Sequence, residues 1–305
     1  MKNKITYCFL YGIAFIHALL PFKILYLYAD ILSFILYRII RYRRRLVRKN
    51  ISLSFPDKTE AEVIRIEKEF YRHFCDYTVE TLKILHISDK EIKKRMKFTN
   101  MEALQPYFER EDSFVMTLGH YGNWEWISSI RFLVPEDIYG GQIYRKLKNE
   151  AFNKLLYNMR SRFGVANIEK NDTLRTIVNT RKSGKRLMIG FIADQKPSRN
   201  NMHYWTTFLN QETSVLTGPE RIACQTNSVV FYVDIEKIKR GYYEAKIIII
   251  SDNPKSTAEY EITEKYIRLM EETIKREPSN WLWTHNRWKY KRESKADEKN
   301  SSCSS

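Results

Sequence analysis

The sequence predicts an α/β fold, in which a mainly parallel, helix-covered sheet follows an N-terminal, membrane-anchoring helical segment. Short apolar runs alternate with helical patterns beyond residue 110, as in sheets whose two faces are covered by helices. The first 40 residues are unusually apolar, and a dense run of arginines follows them. With 43% hydrophobic residues and only 10 Gly and 8 Pro among 305, the composition also excludes a disordered or collagen-like chain.

The N-terminal segment has the composition of a membrane helix. Residues 5–22 contain no Asp, Glu, Lys or Arg, and a second apolar stretch, residues 24–37, is interrupted only by Asp30. Eighteen helical residues rise roughly 27 Å, which is close to the hydrocarbon thickness of a bilayer. Because Pro21 separates the two stretches, a single span and a membrane-embedded hairpin both fit. A helical hairpin buried in a soluble protein is the competing interpretation.

Positive charge is concentrated beside this segment. Residues 1–50 hold ten Lys or Arg and one acid, a balance of +9 out of a total of +16. A basic cluster next to an apolar segment stays in the cytoplasm and binds anionic lipids, so we expect the body on the cytoplasmic face of the cell inner membrane. No basic stripe runs through the body, which disfavours nucleic acid as a partner. The cluster comprises Arg38, Arg41, Arg43, Arg44, Arg45, Arg48 and Lys49.

Helices and strands alternate along the rest of the chain. Apolar residues at helical spacing predict a long helix over residues 60–85. Strands are predicted over residues 113–118, 138–144, 187–193, 229–235 and 242–250, and further helices near residues 124–133, 150–163, 172–181, 218–226 and 258–275.

These patterns divide the chain into three parts. Residues 1–50 are the membrane anchor with its basic juxtamembrane segment, and residues 51–290 are the α/β domain. The polar tail, residues 291–305, is expected to be disordered.

The four cysteines give no sign of a metal or disulfide site. Cys8, Cys75, Cys224 and Cys303 are far apart, with no CxxC pair and no His/Cys cluster. This spacing argues against zinc and against a disulfide framework, and it is typical of free thiols in a reducing compartment. We expect neither a metal nor a bound cofactor.

The candidate site is the segment GHYGNWEW, residues 119–126, at the end of the first predicted strand. Strand ends are where α/β folds place their sites. On one regular helix His120 and Glu125 would point about 140° apart, so they meet only if His120 lies in the glycine turn and Glu125 in the first helical turn. Glu125 would then accept a hydrogen bond from one imidazole nitrogen, and the other nitrogen would take a proton from a hydroxyl. The predicted chemistry is a general-base dyad for acyl transfer.

The same spacing also occurs where no site is expected. His86 and Glu91 are likewise five residues apart, but they follow a predicted helix, with no strand before them and no glycine turn. The prediction for His120 therefore rests on the strand, the glycines and the flanking tryptophans rather than on the spacing.

Several further motifs, in one order, make the prediction more specific. After GHYGNWEW come YRKLKN at residues 144–149, Asp194-Gln195 behind a predicted strand, LTGP at 216–219 and WLWTHNRWK at 281–289. Together they resemble the lipid A biosynthesis acyltransferases, the lauroyl/myristoyl group of the lysophospholipid acyltransferase superfamily. The resemblance extends from the N-terminal anchor to the last of these motifs.

The resemblance implies a membrane-bound O-acyltransferase of lipopolysaccharide synthesis, with a sheet of the acyltransferase type. It would move a fatty acyl chain from acyl carrier protein, or less often coenzyme A, to a hydroxyl of a lipid A precursor. His120 and Glu125 match the catalytic pair of the family. Arg145, Asp194 and Asn149 match substrate-binding positions, and Arg145 would also help to hold the developing oxyanion. A surface position for Arg145, and helix or structural caps for the other two, are the competing interpretations.

The sequence leaves more than one acyl acceptor open. The Phe-Pro-Glu-Gly-Thr-Arg block of the related glycerophosphate acyltransferases is absent, which disfavours glycerol 3-phosphate. The same chemistry on an aminolipid or a phosphatidylinositol mannoside is the alternative to lipid A. No GxSxG motif occurs and no cysteine lies in a nucleophile motif, so a covalent acyl-enzyme is not expected. The positive charge suits two acidic partners, acyl carrier protein and a phosphorylated glycolipid.

Overall fold

A computed structural model describes residues 2–292, with side chains from residue 5 onward. Residues 293–305, which include Cys303 and nearly all of the predicted tail, lie outside the described residues. The described part contains ten α-helices: α1 (Lys2–Leu19), α2 (Phe22–Phe34), α3 (Arg44–Ser54), α4 (Glu60–Lys83), α5 (Asp89–Arg95), α6 (Gln105–Glu109), α7 (Glu150–Arg160), α8 (Thr173–Lys182), α9 (Gly218–Thr226) and α10 (Glu261–Arg276).

The strands of residues 2–292 form a seven-stranded sheet, in the order β1-β9-β8-β2-β5-β3-β4, and a separate antiparallel hairpin of β6 and β7. Five neighbouring strands, from β8 to β4, are parallel, whereas β9 is antiparallel to β8 and β1 follows the direction of β9. A mixed α/β fold with a mostly parallel sheet is therefore confirmed. The strands are β1 (Met96–Thr99), β2 (Phe114–Leu118), β3 (Tyr139–Tyr144), β4 (Ala166–Glu169), β5 (Leu187–Ile192), β6 (Tyr204–Phe208), β7 (Gln211–Val215), β8 (Val229–Lys239) and β9 (Tyr242–Ser251).

The centre of the sheet is its most apolar part. All five residues of β2 are buried, as are five of the six residues of β5. Strands that are covered on both faces carry near-continuous apolar runs, which is why these two are visible in the sequence. Leu118 pairs with Ile192, so the residues that follow β2 and β5 leave the sheet side by side at the same edge.

Local sequence signals set the helix ends. Thr59 and Glu62 form a capping box at the start of α4. Helix α9 has Pro219 in its first turn and ends before Asn227, whose φ of 50° is left-handed. The helix predicted near residues 124–133 is a 3-10 helix, Trp124–Leu133.

The N-terminal helices form a bent hairpin. Helix α1 meets the continuous segment Phe22–Ile40, in which α2 passes into a π-helix, at 117°. Within residues 2–292 no single helix is long and apolar enough to cross a membrane, and only this bent pair meets both criteria together. Its exposed apolar side chains include Ile5, Phe9, Ile13, Ile16, Leu27, Ile31 and Phe34.

Polar contacts fasten this hairpin to the rest of the protein. Lys83 Nζ donates to two carbonyl groups at the end of α1, at 2.6 and 2.8 Å. The Tyr26 hydroxyl donates to Glu80 of α4 at 3.0 Å. Arg240, which follows β8, pairs with Asp30 of α2 at 2.8 Å. The hairpin and the α/β body are therefore packed as one structure.

Candidate active site

The turn after β2, residues 119–123, is called the β2 turn here, and its backbone is fixed by a neighbouring chain segment. The Gly122 N–H donates to the carbonyl of Asn280 at 3.0 Å, and the His120 carbonyl accepts from the Leu282 N–H at 3.1 Å. These bonds form a short antiparallel bridge between Tyr121 and Trp281, which ties the backbone of the turn to residues 280–282.

Gly122 is required by the conformation of this turn. Its φ is 58°, and a Cβ at this position would lie 2.8 Å from the side chain of Ile235. Its carbonyl lies 3.2 Å from Nε2 of the buried His73. The turn is therefore also supported by the side chains of Ile235 and His73.

Asp194, which follows β5, orients the imidazole of His120. The His120 Nδ1 lies 2.7 Å from Asp194 Oδ1, and the His120 backbone N–H donates to Asp194 Oδ2 at 3.1 Å. When Nδ1 donates its proton to Asp194, Nε2 carries the lone pair. Nε2 lies 3.4 Å from Gln195 Nε2, and the His120 side chain keeps 20% of its surface exposed. Nε2 can therefore accept a proton, and the Gln195 amide is its hydrogen-bonding neighbour among the described residues.

Asp194 is buried and yet favours its charged form. Its Oδ2 also accepts from Trp281 Nε1 at 2.7 Å. Burial opposes ionisation, but the charge of His120 and the hydrogen bonds from His120 and Trp281 outweigh it and hold the pKa of Asp194 below its usual value. A carboxylate in this position stabilises the imidazolium that forms when Nε2 takes a proton.

Glu125 lies in the first helical turn after the β2 turn, as predicted, but its carboxylate pairs with Arg160. Arg160 Nη2 lies 2.5 Å from Glu125 Oε1, and Arg160 Nε donates to Oε2 at 3.0 Å. Burial disfavours the charged form of Arg160, but the hydrogen bonds and the charge of Glu125 raise its pKa above the usual value. The expected hydrogen bond from the imidazole to Glu125 is not among those formed, because Asp194 accepts it. The part of Glu125 in catalysis stays a prediction.

A second buried carboxylate, Glu80 of α4, accepts a hydrogen bond from the end of the β2 turn. Asn123 Nδ2 donates to Glu80 Oε2 at 2.8 Å, while Asn123 Oδ1 caps the 3-10 helix by accepting from the Trp126 N–H at 3.2 Å. The Tyr243 hydroxyl also donates to Oε2, at 2.8 Å. Burial raises the pKa of Glu80 to about 7.

A cavity of about 860 Å³ opens beside His120 and Glu125, which both line it. Strands β2, β3 and β5, the 3-10 helix and helices α7, α8 and α9 all contribute residues to its lining. A volume of this size accommodates a small-molecule ligand or an extended chain. Apolar side chains that line it include Met116, Ile130, Val134, Val165, Met188 and Ile222.

The charged side chains that line this cavity are mostly basic. Six are Lys or Arg and one is acidic. An excess of this kind favours ligands that carry phosphate or carboxylate groups beside their apolar part. The seven are Arg131, Arg145, Arg160, Lys170, Lys196, Arg221 and Glu125.

The structure separates the two remaining predicted residues. Arg145 follows β3, is exposed and lines the cavity. Asn149 does not line the cavity; its Oδ1 accepts from the Phe152 N–H at 3.1 Å and caps α7. The helix-cap interpretation of Asn149 is therefore confirmed, and its substrate-binding role stays a prediction.

Sequence reasoning missed three residues that shape the site. Arg160 lies in the last turn of α7, where an arginine is common for its effect on the helix end alone. Glu80 contacts the site across a long sequence separation and belongs to no local motif. Trp281 opens the WLWTHNRWK motif, but its hydrogen bond to Asp194 joins residues too far apart in the chain for the motif to show it. The one available signal was the need of each buried carboxylate for a partner.

A family model and two named proteins each match nearly the whole of this chain. The model of the family described as bacterial lipid A biosynthesis acyltransferase matches residues 2–290. The chain is 22% identical over 281 residues to the lipid A biosynthesis palmitoleoyltransferase of Escherichia coli (strain K12), covering 91% of this chain and 89% of that protein. The lipid A biosynthesis acyltransferase of Shigella flexneri shows the same identity and coverage.

Proposed function

Because the chain belongs to the bacterial lipid A biosynthesis acyltransferase family, it is an acyltransferase, and we propose that it transfers a fatty acyl chain from acyl carrier protein to a hydroxyl of a lipid A precursor. The observation that carries this proposal is a single arrangement. The His120 imidazole is held by a buried carboxylate through Nδ1, and the residue lines a cavity that combines apolar with basic side chains. An acyl chain and a phosphate-bearing group match these two properties.

The proposed reaction is direct transfer. His120 Nε2 takes the proton of the acceptor hydroxyl as the oxygen attacks the thioester carbonyl. The tetrahedral intermediate collapses, the carbon–sulfur bond breaks, and the imidazolium returns its proton to the departing thiolate. Asp194 fixes the tautomer and stabilises the imidazolium throughout. The thioester supplies the activated acyl group, so the reaction needs no metal and no further cofactor.

Cationic groups stabilise the intermediate in this scheme. Arg145, which is exposed and lines the cavity, contacts the substrate, and the part in holding the oxyanion that the resemblance implies for it stays a prediction. Glu125 is the second catalytic residue of the predicted dyad, and it acts here by holding Arg160 at the cavity wall. Asn149 contributes to substrate binding indirectly, by fixing the start of α7, whose last turn carries Arg160.

The partners follow from charge and from the exposed apolar surface. Acyl carrier protein, coenzyme A and a phosphorylated glycolipid are all acidic, which suits the basic cavity lining and a net charge of +16. The exposed apolar face of the α1–α2 hairpin supports binding to the inner membrane, with the anionic lipids near the arginines that follow it. The body would then lie on the cytoplasmic face.

The test is an assay with purified protein. Wild type and His120→Ala are incubated with acyl carrier protein that carries acyl chains of several lengths, and with a tetra-acylated lipid A precursor. Mass spectrometry should show a gain of one acyl chain with the wild type and none with the variant. Equal transfer by the variant would overturn the role of His120. Transfer only to an aminolipid or a phosphatidylinositol mannoside would replace the acceptor.

A further inference from the structure

A second cavity, of about 620 Å³, lies just beyond the hairpin, and five of its seven lining residues are arginines. We call it the arginine cavity. It is separate from the active-site cavity, with which it shares no lining residue. Its lining consists of Arg41, Arg43, Arg44, Arg45, Leu46, Arg48 and Glu67.

Only part of this positive charge is neutralised by the protein. Glu67 is buried and accepts from Arg44 at 2.7 Å and from Arg48 at 2.8 Å. Arg41 and Arg45 are exposed, and neither forms an ion pair or a hydrogen bond through its side chain within residues 2–292. Several guanidinium groups held together in a concave surface repel one another unless an anion lies between them. Their planar, forked donors match the oxygens of a phosphate group.

Two contacts connect this cavity to the active site. Arg43 Nη1 donates to the carbonyl of Thr284 at 2.9 Å, and Asn50 of α3 donates to the carbonyl of Trp283 at 3.0 Å. Both carbonyls belong to the segment that carries Trp281, the hydrogen-bond donor to Asp194. The chain segment that carries the arginines is therefore hydrogen-bonded to the segment that supports the active site.

The position also suits a lipid. Ile39, Ile40 and Tyr42, which adjoin the arginines in the chain, are exposed. An amphiphile whose chains contact this apolar surface has its headgroup at the level of the arginines.

We propose that the arginine cavity binds a phosphate monoester of the acceptor glycolipid. The inference rests on the proposed function, because it assigns a site to the phosphorylated acceptor. A bulk phospholipid offers the same chemistry through a phosphodiester, which carries less charge than a monoester. The experiment therefore has to separate these two sources.

The variant with least risk to the fold is Arg41→Gln with Arg45→Gln, because these two side chains have no described structural contact. The matched control is Arg110→Gln with Arg175→Gln, which removes two exposed arginines outside both cavities. Thermal melting should leave both double variants within a few degrees of the wild type. Arg41→Lys with Arg45→Lys keeps the charge but loses the planar, bidentate guanidinium donors. We expect its affinity for the phosphorylated lipid to lie between those of the wild type and the Gln variant.

The first measurement is equilibrium binding of the acceptor in neutral detergent micelles, without an acyl donor. The probes are the phosphorylated lipid A precursor and the same lipid after phosphatase treatment. We expect the Arg41/Arg45 variant to bind the phosphorylated lipid about tenfold more weakly and the dephosphorylated lipid unchanged. Equal weakening for both lipids, or no binding of the phosphorylated lipid by the wild type, would overturn the proposal.

The second measurement separates the acceptor from the membrane. Binding to vesicles of neutral phospholipid with and without an anionic phospholipid is compared between variant and wild type. The variant could lose the preference for anionic vesicles and still bind the acceptor in micelles as the wild type does. That result would assign the arginines to the bulk membrane and contradict the proposal. Since no donor is present in either measurement, failure of acyl transfer in the activity assay would not affect the result.

Discussion

The β2 turn and the loop after β3, residues 145–149, end neighbouring parts of the same sheet edge, yet they differ in how firmly they are held. Strands β2 and β3 flank β5, and both segments contribute to the active-site cavity. The β2 turn is hydrogen-bonded to residues 280–282, to Asp194 and, through Asn123, to Glu80. In the β3 loop, Arg145 and Lys146 are exposed, and their side chains have no hydrogen bond or ion pair in the described part of the chain.

The difference matches two tasks. A base has to be held within a fraction of an ångström of its working geometry, and a turn anchored on several sides achieves this. A side chain that contacts a variable or mobile substrate benefits from freedom to move. We therefore expect changes in the β2 turn to act on kcat or on stability, and changes in the β3 loop to act mainly on KM.

The largest effect is expected for the base itself. His120→Ala should lower kcat by about 10³-fold, because no other described side chain at this point of the cavity offers an imidazole nitrogen. The measurement is transfer rate at saturating substrate. His86→Ala is the matched control, since His86 has the same spacing to a glutamate but contacts Phe15 of α1 and does not line the cavity. Similar losses in both variants would show that a general defect, not loss of the base, is responsible.

The second prediction separates the two carboxylates. Asp194→Asn should lower kcat by about 10²-fold, because Nδ1 loses the charge that stabilises the imidazolium. Glu125→Gln should instead destabilise the fold by about 3 kcal/mol, because the largely buried Arg160 loses its partner. Transfer rates and melting curves of both variants decide the matter. If Glu125→Gln melts like the wild type but shows the larger loss in kcat, then Glu125 and not Asp194 serves the imidazole.

The third prediction concerns stability against pH. Since the pKa of Glu80 is raised to about 7, the folded state holds this proton more tightly than the unfolded state, and the stability from this group falls as the pH rises from about 4.5 to 7. Glu80→Gln mimics the protonated form and should escape this loss. The unfolding free energy of Glu80→Gln minus that of the wild type should therefore increase by up to about 3 kcal/mol as the pH is raised from 4.5 to 8.

Denaturant unfolding at several pH values measures this difference. Glu69→Gln, an exposed change on the same helix, is the control, and its difference from the wild type should stay within about 0.5 kcal/mol. A Glu80→Gln difference that does not vary with pH would contradict the prediction.

The smallest effect is expected in the β3 loop. Arg145→Gln should raise KM about fivefold, leave kcat within about twofold and leave the melting temperature unchanged, because the lost contact is with substrate alone. Lys146→Gln removes the same charge from the neighbouring position. An equal rise in KM for Lys146→Gln would show that the effect depends on charge alone and not on the position of Arg145. A large fall in kcat for Arg145→Gln would show that the loop is part of the fixed machinery and would remove the contrast with the β2 turn.

Much of the fold was predictable because its signals are local. The buried runs of β2 and β5 and the proline and left-handed asparagine that bound α9 are visible in single windows of sequence. Strands β1, β4, β6 and β7 were missed, because each has four or five residues with polar ones among them and depends on partners distant in the chain.

The candidate site shows the same limit. The sequence placed His120 in a turn and Asp194 at a strand end, and both positions are confirmed. Which carboxylate meets the imidazole depends on the strand order, and β5 lies beside β2 although two other elements of the sheet separate them in the chain. Glu125 is nearer in sequence, but Asp194 is nearer in space. Pairing by sequence distance alone therefore led to the wrong hydrogen bond.

The bridge between the β2 turn and residues 280–282 also has a consequence for synthesis of the protein. The contacts that hold His120 and its neighbours join residues 74 and 156 positions apart, from His120 to Asp194 and from Tyr121 to Glu277. Contacts across such distances form late, and a chain emerging from the ribosome cannot form them until residues 194 and 277 have been made. The apolar hairpin precedes all of these residues in the chain. It is therefore synthesised before the site can be completed, and termination before Trp281 leaves a product with the hairpin and without a complete site.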